Sequence, residues 1–220
     1  SASKYFWNGR DSAADNYAFM VLTCALTDRP MFDGRMVDML RTETKVTSRI
    51  GALPADFDFN KQGFRYDEPD INRLIFDGSE YVKDGLMPIT EWLGPTPWSE
   101  RMTAIIDSIL EHAPHATPDG KIPSDNVEVN GEMMQVLSRL CFMTGDEKYL
   151  DMACRIADYY LLGDRHPTRD ADRLKLRDHG CELISGLTEV YAACHFLRKE
   201  KAGAYCEPIH TMLDRILEVG

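Results

Sequence analysis

Residues 126–162 read NVEVNGEMMQVLSRLCFMTGDEKYLDMACRIADYYLL, and this stretch decides the fold. Apolar side chains recur at helical spacing on both sides of Thr144-Gly145-Asp146, where a helix-ending glycine precedes an N-capping aspartate. The stretch therefore predicts two helices, 126–143 and 147–162, joined by a tight turn. The first is apolar around much of its circumference, which is typical of a helix that is buried on several sides.

The same hairpin pattern extends outward along the chain. Helical periodicity predicts six further helices, at 11–26, 31–46, 70–85, 98–112, 178–199 and 204–219. Short turns alternate with long connections, so helical hairpins with apolar inner and amphipathic outer helices recur about every 50–60 residues. This organisation predicts an all-α fold over residues 1–220, a single α/α-toroid domain or partial toroid of about four hairpins.

The length of the chain bears on whether such a toroid would close. A toroid of six hairpins at this period would need about 300–360 residues, whereas the chain has 220. We therefore expect the domain to be part of a larger toroid, completed by a missing segment or by another chain.

Composition and charge argue against several classes of function. The 25 Lys and Arg against 36 Asp and Glu give a net charge of −11 with no basic stripe, so we expect no nucleic-acid partner. No apolar run approaches the roughly 20 residues of a membrane span, so we expect no membrane partner. The six cysteines lack CxxC spacing, which favours unpaired core thiols, and we expect no metal and no cofactor. No signal peptide is visible, which leaves cytoplasm and periplasm as alternatives.

Three inner helices begin with acid-bearing motifs, and a fourth, at 70–85, carries a weaker version near Glu68, Asp70 and Arg73. Capping explains a single aspartate at a helix start, because its carboxylate bonds free backbone N–H groups. Capping does not explain a second acid one turn inside an apolar helix, where an ionised carboxylate needs a partner. The acids of this second kind are Asp15, Glu132 and Glu182, and we expect them to face the interior.

Several carboxylates around one cavity are what cleavage of a glycosidic bond requires, one as the acid and another as the base or nucleophile. Asp11 and Asp15 are four residues apart and so share a helix face, as do Glu128 and Glu132. The candidate catalytic residues are Asp11, Asp15, Asp178, His179 and Glu182. We expect Asp15 or Asp178 to supply the acid and His179 to position or share protons. A structural polar network is the alternative interpretation.

The side chains beside these acids are of the kinds that bind sugars. Aromatic faces pack against the C–H groups of a pyranose, and amides and guanidiniums bond its hydroxyls or a uronate carboxylate. The candidate substrate-binding residues are Trp7, Asn8, Arg10, Asn16, Tyr17, Asn126, Asn130, Glu132 and Arg177. Tyr66, just before the helix at 70–85, is a further aromatic of this kind. Ordinary core packing is the alternative for each aromatic residue.

The second half of the chain also carries a family resemblance. TGDEKYLD at 144–151, followed by RIADYYL at 155–161, resembles the outer-helix signature of α/α-toroid carbohydrate-active enzymes. These include unsaturated glucuronyl hydrolases and related toroidal glycoside hydrolases and polysaccharide lyases. RDHGCELI at 177–184 resembles the inner-helix starts of such proteins. The resemblance implies a toroid that acts on saccharides, but no catalytic motif matches residue by residue.

Three functions follow in order of preference. The first is a glycoside hydrolase that acts on an oligosaccharide, with a uronate-containing substrate as one option. The second is a polysaccharide lyase, in which His179, Tyr17 and Arg177 would abstract the proton beside a uronate and neutralise its carboxylate. The third is a non-catalytic helical-repeat binding module, whose acids only cap helices and pair with cations.

Overall fold

The helices of this chain account for most of its structure. The computed structural model describes residues 6–169, 171–174, 176 and 178–219. Its strands are only two or three residues long, so the predicted all-α class is confirmed. The chain divides into two compact units, Ser1–His112 (unit 1) and Ala113–Gly220 (unit 2).

Unit 1 contains two helix pairs, α1–α2 and α3–α4. Helix α1 is the π-helical stretch Gly9–Tyr17 continued by the α-helix Ala18–Thr27. Helix α2 consists of Arg29–Met31, the π-helical Phe32–Met36 and Val37–Thr47. Helix α3 consists of Ile71–Glu80, the π-helical Tyr81–Leu86 and Met87–Leu93, and α4 is Pro97–His112.

The long connection between α2 and α3 is ordered by small antiparallel sheets. One contains β1 (Phe6–Trp7), β4 (Phe57–Asp58) and β5 (Gly63–Phe64) in the order β1-β4-β5. The other pairs β2 (Ser48–Ile50) with β3 (Leu53–Pro54). The register of Trp7 opposite Phe57 ties the segment before α1 to this connection.

A buried ion pair joins α2 to α4 beside the start of the same connection. Arg101 of α4 donates its Nε and Nη2 to the two carboxylate oxygens of Glu43 in α2, at 2.9 and 3.1 Å. Its Nη1 donates to the carbonyl oxygen of Ala52 at 2.8 Å. Both charged side chains are only 2% exposed, and such a pair is tolerated because each partner is fully hydrogen-bonded.

Unit 2 also contains two helix pairs. Its helices are α5 (Val127–Thr144), α6 (Glu147–Leu161), α7 (Glu182–Leu197) and α8 (Lys199–Val219). A 3₁₀ turn, Asp178–Cys181, leads into α7, and β6 (His115–Thr117) pairs with β7 (Gly120–Ile122). The predicted turn between α5 and α6 is confirmed, with Gly145 at a φ of 73° and Asp146 accepting the Lys148 N–H.

Glycines bring the inner helices of each unit into backbone contact. In unit 1, a Cβ at Gly9 of α1 would lie 2.2 Å from the backbone oxygen of Asp77 in α3. In unit 2, a Cβ at Gly186 of α7 would lie 2.4 Å from the backbone oxygen of Gly131 in α5. Side chains at these positions would hold the helices apart, so glycine fixes both crossings.

Two predicted helix boundaries were wrong. Helix α3 continues to Leu93 and ends at Gly94. Gly85, where the helix was predicted to end, lies inside the π-helical stretch. Pro88 lies in the first turn of the last segment, where a missing N–H is tolerated. Helix α8 begins at Lys199 and passes through Gly203 without a break. Within the described residues, no helix combines the length and the apolar character that a membrane span requires.

Candidate functional site

Unit 1 contains a cavity of about 160 Å³ beside the start of α3. Two buried carboxyl side chains line it, Asp56 from the loop between β3 and β4 and Asp77 from α3. We call it the Asp56–Asp77 cavity. Its other polar and aromatic lining residues include Arg49, Tyr66, Glu68, Asp70 and Arg73.

The backbone positions both carboxyl groups. The Ala55 N–H donates to the Thr47 carbonyl, and the Arg65 N–H donates to the Asp56 carbonyl, both at 2.9 Å. Asp77 is held because its own backbone packs against Gly9 of α1. The two acids therefore sit on rigid supports, as residues that must meet a reacting atom require.

One guanidinium connects the two acids. Arg73 Nη2 lies 2.6 Å from Asp56 Oδ2, and Arg73 Nε lies 3.8 Å from Asp77 Oδ2. The same guanidinium stacks on Tyr66, 4.2 Å from the ring centre. Arg49 donates to the backbone carbonyls of Tyr66 and Asp67, which holds this aromatic ring at the cavity.

The cavity places these two acids in unequal electrostatic environments. The Asp56 and Asp77 side chains are 1% and 8% exposed. Burial raises the pKa of Asp56, although Arg73 opposes the rise. Burial and the nearby negative charge of Asp56 raise the pKa of Asp77 to about 6, against the pull of Arg73 and Arg10. Asp77 is therefore the member of the pair that holds a proton in mildly acidic solution.

Each acid also has an oxygen that lacks a hydrogen-bond donor. Asp56 Oδ1 and Asp77 Oδ2 are buried, and no described residue donates a hydrogen bond to either atom. A buried carboxyl oxygen normally has such a donor, because leaving it without one costs about 1–3 kcal/mol. Both residues line the cavity, so the donors that the fold does not supply would be two hydroxyl groups of a bound ligand.

Asp11 and Asp15 share a face of α1 as predicted, but that face is exposed to solvent. The expectation that Asp15 faces the interior is wrong. The buried side of this stretch contains the small residues Gly9, Ala13 and Ala14, which let α3 approach closely, and Tyr17. Asp11 is paired with Arg10 at 3.5 Å on the surface.

The predicted polar binding residues of unit 1 also lie at the start of α1. Asn8, rather than Asp11, caps the helix, because its Oδ1 accepts the Ser12 N–H at 2.8 Å. The Asn16 side chain donates to the backbone carbonyl of Asp11. Arg10 is exposed and lies 5.7 Å from the centre of the Phe76 ring. Arg10 and Asp11 act on the cavity through their charges, which affect the pKa of Asp77.

The two predicted aromatic binding residues, Trp7 and Tyr17, are buried in the core of unit 1. Their rings pack edge to face at 5.6 Å. The Tyr17 hydroxyl donates to the Met36 carbonyl and accepts from Trp98 Nε1, each at 2.8 Å. Burial raises the pKa of Tyr17. The hydroxyl is thus occupied by the fold, which disfavours the predicted role of Tyr17 as a lyase base.

Unit 2 brings a second polar group together at the starts of α5 and α7. His179 Nδ1 lies 2.9 Å from Glu128 Oε1. One carboxylate oxygen of Glu132 lies within 4.8 Å of a carboxylate oxygen of Glu128 and of a ring nitrogen of His179. We call these three residues the Glu128–His179 cluster. A histidine oriented by a carboxylate can accept a proton, and the same atom types can bind a transition metal.

The other predicted residues of unit 2 that the structure describes lie at or near the starts of the same two helices. Glu132 and Glu182 are buried, as predicted. Glu182 Oε2 accepts from Gln135 Nε2 at 2.6 Å. Asn130 is buried, and its Nδ2 donates to the Ser124 carbonyl at 2.8 Å and to the Tyr160 hydroxyl at 3.0 Å. Asn126 caps α5 through the Glu128 N–H.

Two predicted site residues fall outside what the structure describes. Arg177 lies outside the described residues, and so does the side chain of Asp178, whose backbone begins the 3₁₀ turn. Their predicted roles stay predictions.

Sequence reasoning missed the two acids of the cavity. A signal for Asp77 was present, since it lies between Ile75 and Gly78 on the buried side of α3. The weaker motif before α3 was also informative, because Glu68, Asp70 and Arg73 all line the cavity. Asp56 gave no comparable signal, because its burial depends on the pairing of short strands.

The chain was compared with known proteins by family, by sequence and by structure. No protein-family model, no curated protein and no solved structure matches it.

Proposed function

We propose that this chain hydrolyses glycosidic bonds at the Asp56–Asp77 cavity. The observation that carries the proposal is a pair of buried carboxyl groups in one cavity, of which Asp77 has a pKa of about 6. Glycosidases need two carboxyl groups whose environments make one an acid and the other a carboxylate. The acid here is Asp77, whereas the sequence alone favoured Asp15 or Asp178.

Each side chain has a role in this chemistry. Asp77 donates its proton to the glycosidic oxygen as the bond to the leaving sugar breaks. Asp56 is assigned the role of the carboxylate because Arg73 bonds it at 2.6 Å and opposes the rise that burial causes in its pKa, and it either activates water or attacks the sugar. Tyr66 supplies an aromatic face at the cavity. The surface residues Asp11 and Arg10 adjust the proton affinity of Asp77.

The expected substrate is an oligosaccharide that contains a uronate. The guanidiniums of Arg49 and Arg73 line the cavity and are the groups that pair with a sugar carboxylate. We also propose that the two units belong to an α/α toroid, completed by further chain. This is supported by the two helix pairs of each unit, whose inner helices cross at glycines.

The test is cleavage of a panel of neutral and uronate-containing oligosaccharides, with products read by reducing-end release and by ultraviolet absorbance. We expect Asp77→Asn and Asp56→Asn each to lower turnover by about 10²–10⁴-fold, the range for loss of a positioned acid or base. The matched control is Asp33→Asn, which removes an exposed acid of α2 that pairs only with Arg29 among the described residues. Near-wild-type turnover in both cavity variants would contradict the proposal.

A lyase located in unit 2 is the second candidate. The observation that favours it is the 2.9 Å contact between His179 Nδ1 and Glu128, which orients the ring so that Nε2 can accept a proton. A lyase would release an unsaturated product that absorbs in the ultraviolet, whereas a hydrolase would not. If His179→Asn loses that product and the exposed control His195→Asn keeps it, the reaction is that of a lyase and takes place in unit 2.

A further inference from the structure

Two buried thiols of unit 2 lie side by side. Cys154 of α6 and Cys194 of α7 are 40 residues apart in sequence, and their sulfurs are separated by 3.4 Å. Their residues are 3% and 0% exposed. Neither thiol belongs to the Asp56–Asp77 cavity or to the Glu128–His179 cluster, so the proposed chemistry does not use them.

The surroundings of the two thiols are polar for such a buried position. Tyr205 of α8 donates its hydroxyl to the Cys154 carbonyl at 3.2 Å and to Asp158 Oδ1 at 2.7 Å. Lys201 Nζ lies 2.6 Å from the other oxygen of Asp158. Asp158 and Lys201 also line an open pocket of about 540 Å³ on this side of unit 2. Tyr205 and Asp158 thus connect the backbone of Cys154 to the wall of this pocket.

We propose that Cys154 and Cys194 form a redox-modification site, at which a hydroperoxide converts the two thiols into one disulfide that joins α6 to α7. Disulfide formation requires two sulfurs that meet after small side-chain rotations, and a separation of 3.4 Å meets this requirement. The site is independent of the proposed hydrolase function and does not depend on the identity of any saccharide.

The two thiols are also unequal, which sets the order of the steps. The hydrogen bond with Cys194 lowers the pKa of Cys154, and the same bond together with burial raises the pKa of Cys194. A thiol with a lowered pKa supplies the more reactive thiolate. This difference favours Cys154 as the residue that attacks the peroxide, with Cys194 as the residue that resolves the product.

The steps balance in atoms and electrons. The Cys154 thiol gives up its proton, and the resulting thiolate attacks one oxygen of hydrogen peroxide. The O–O bond breaks, sulfenic acid forms, and the leaving hydroxide takes up that proton to give one water. The Cys194 sulfur then attacks the sulfur of the sulfenic acid, the S–O bond breaks, and a second water leaves. The two sulfurs together lose two electrons and the peroxide gains them. A dithiol reductant reverses the change by exchange.

The test is thiol counting on the full chain under native conditions. The protein is treated with hydrogen peroxide, quenched with catalase, unfolded in an alkylating reagent, and analysed by intact mass and peptide mapping. We expect Cys154 and Cys194 to escape alkylation and to appear as one cross-linked peptide pair. When dithiothreitol is added before alkylation, we expect all six cysteines to be alkylated.

Matched variants distinguish disulfide formation by this pair from general oxidation of the cysteines. Cys154→Ala should abolish the cross-link and leave Cys194 open to alkylation. Cys141→Ala removes another buried thiol and should leave the cross-link intact. Full alkylation of both Cys154 and Cys194 after native oxidation, or a cross-link that joins either of them to a different cysteine, would overturn the proposal. The wild-type peptide map decides this even where a variant folds poorly.

Discussion

At the scale of single residues, the raised pKa of Asp77 distinguishes it from an acid that only forms a structural ion pair. An ionised carboxylate that is paired only for structure normally has a lowered pKa, because its partner favours the charged form. Asp77 shows the opposite, since burial outweighs the pull of Arg73. The folded protein therefore binds a proton at Asp77 more tightly than the unfolded chain does.

This residue makes stability depend on pH in a defined direction. The pKa of Asp77 rises from 3.8 to about 6 on folding. The contribution of Asp77 is therefore most favourable below its unfolded pKa and is lost as pH rises through about 6. The shift corresponds to at most about 3 kcal/mol.

We expect Asp77→Asn to gain stability relative to wild type when pH is raised from about 4 to about 8, by up to about 3 kcal/mol, because asparagine does not ionise. The measurement is chemical denaturation of both proteins at several pH values. Asp33→Asn, which changes an acid that is 56% exposed, should differ from wild type by less than about 0.5 kcal/mol at every pH. A stability difference for Asp77→Asn that does not change with pH would contradict the electrostatics described here.

At the scale of elements, the hairpin of α5 and α6 shows what sequence can predict. Its turn carried both local signals, a glycine able to adopt positive φ and an N-capping aspartate, and the structure uses both. Local signals also misled, because Ala202-Gly203 looked like a helix break but lies within α8. Glycine lowers helix propensity only modestly, so tertiary packing overrode it.

The side of α1 that faces inward could not be predicted from local sequence patterns. The buried positions of its first turns are occupied by Gly9, Ala13 and Ala14, which do not look like an apolar stripe, before Tyr17. They are buried because α3 approaches at backbone distance, and that approach is visible only in three dimensions. For the same reason Asp77, which lies at this crossing, was not among the predicted residues, whereas the Glu128 to Glu132 motif was recognised.

The crossing of α1 and α3 predicts the effect of enlarging Gly9. We expect Gly9→Ala to lower the free energy of unfolding by about 1–3 kcal/mol, because its Cβ would overlap the backbone of Asp77. Gly34→Ala is the matched control, since Gly34 also lies in a π-helical stretch of unit 1 and its Cβ would have no neighbour within 4 Å. We expect the control to be neutral or to gain up to about 1 kcal/mol. Equal effects of the two substitutions in denaturation experiments would show that backbone contact does not fix this crossing.

At the scale of the whole molecule, the net charge and the guanidiniums of the cavity act in opposite directions on an anionic substrate. The chain has a net charge of −11, so its general field repels an anionic saccharide. Arg49 and Arg73 are the guanidiniums with which a uronate would pair at the cavity, beside the acids Asp56, Glu68, Asp70 and Asp77 that also line it. Overall composition therefore suggested which partners to exclude, whereas the local arrangement of guanidiniums suggests which substrate to test.

Asp77 is proposed as the acid of a glycosidase site in unit 1. The most direct test of this proposal is the pH dependence of kcat/KM for saccharide cleavage by the wild-type chain and by Asp77→Asn. We predict that wild-type activity falls as pH rises through about 6, as Asp77 loses its proton, and that Asp77→Asn loses both the activity and this limb of the profile. A wild-type profile with no decline near pH 6, together with undiminished cleavage by Asp77→Asn, would contradict the claim.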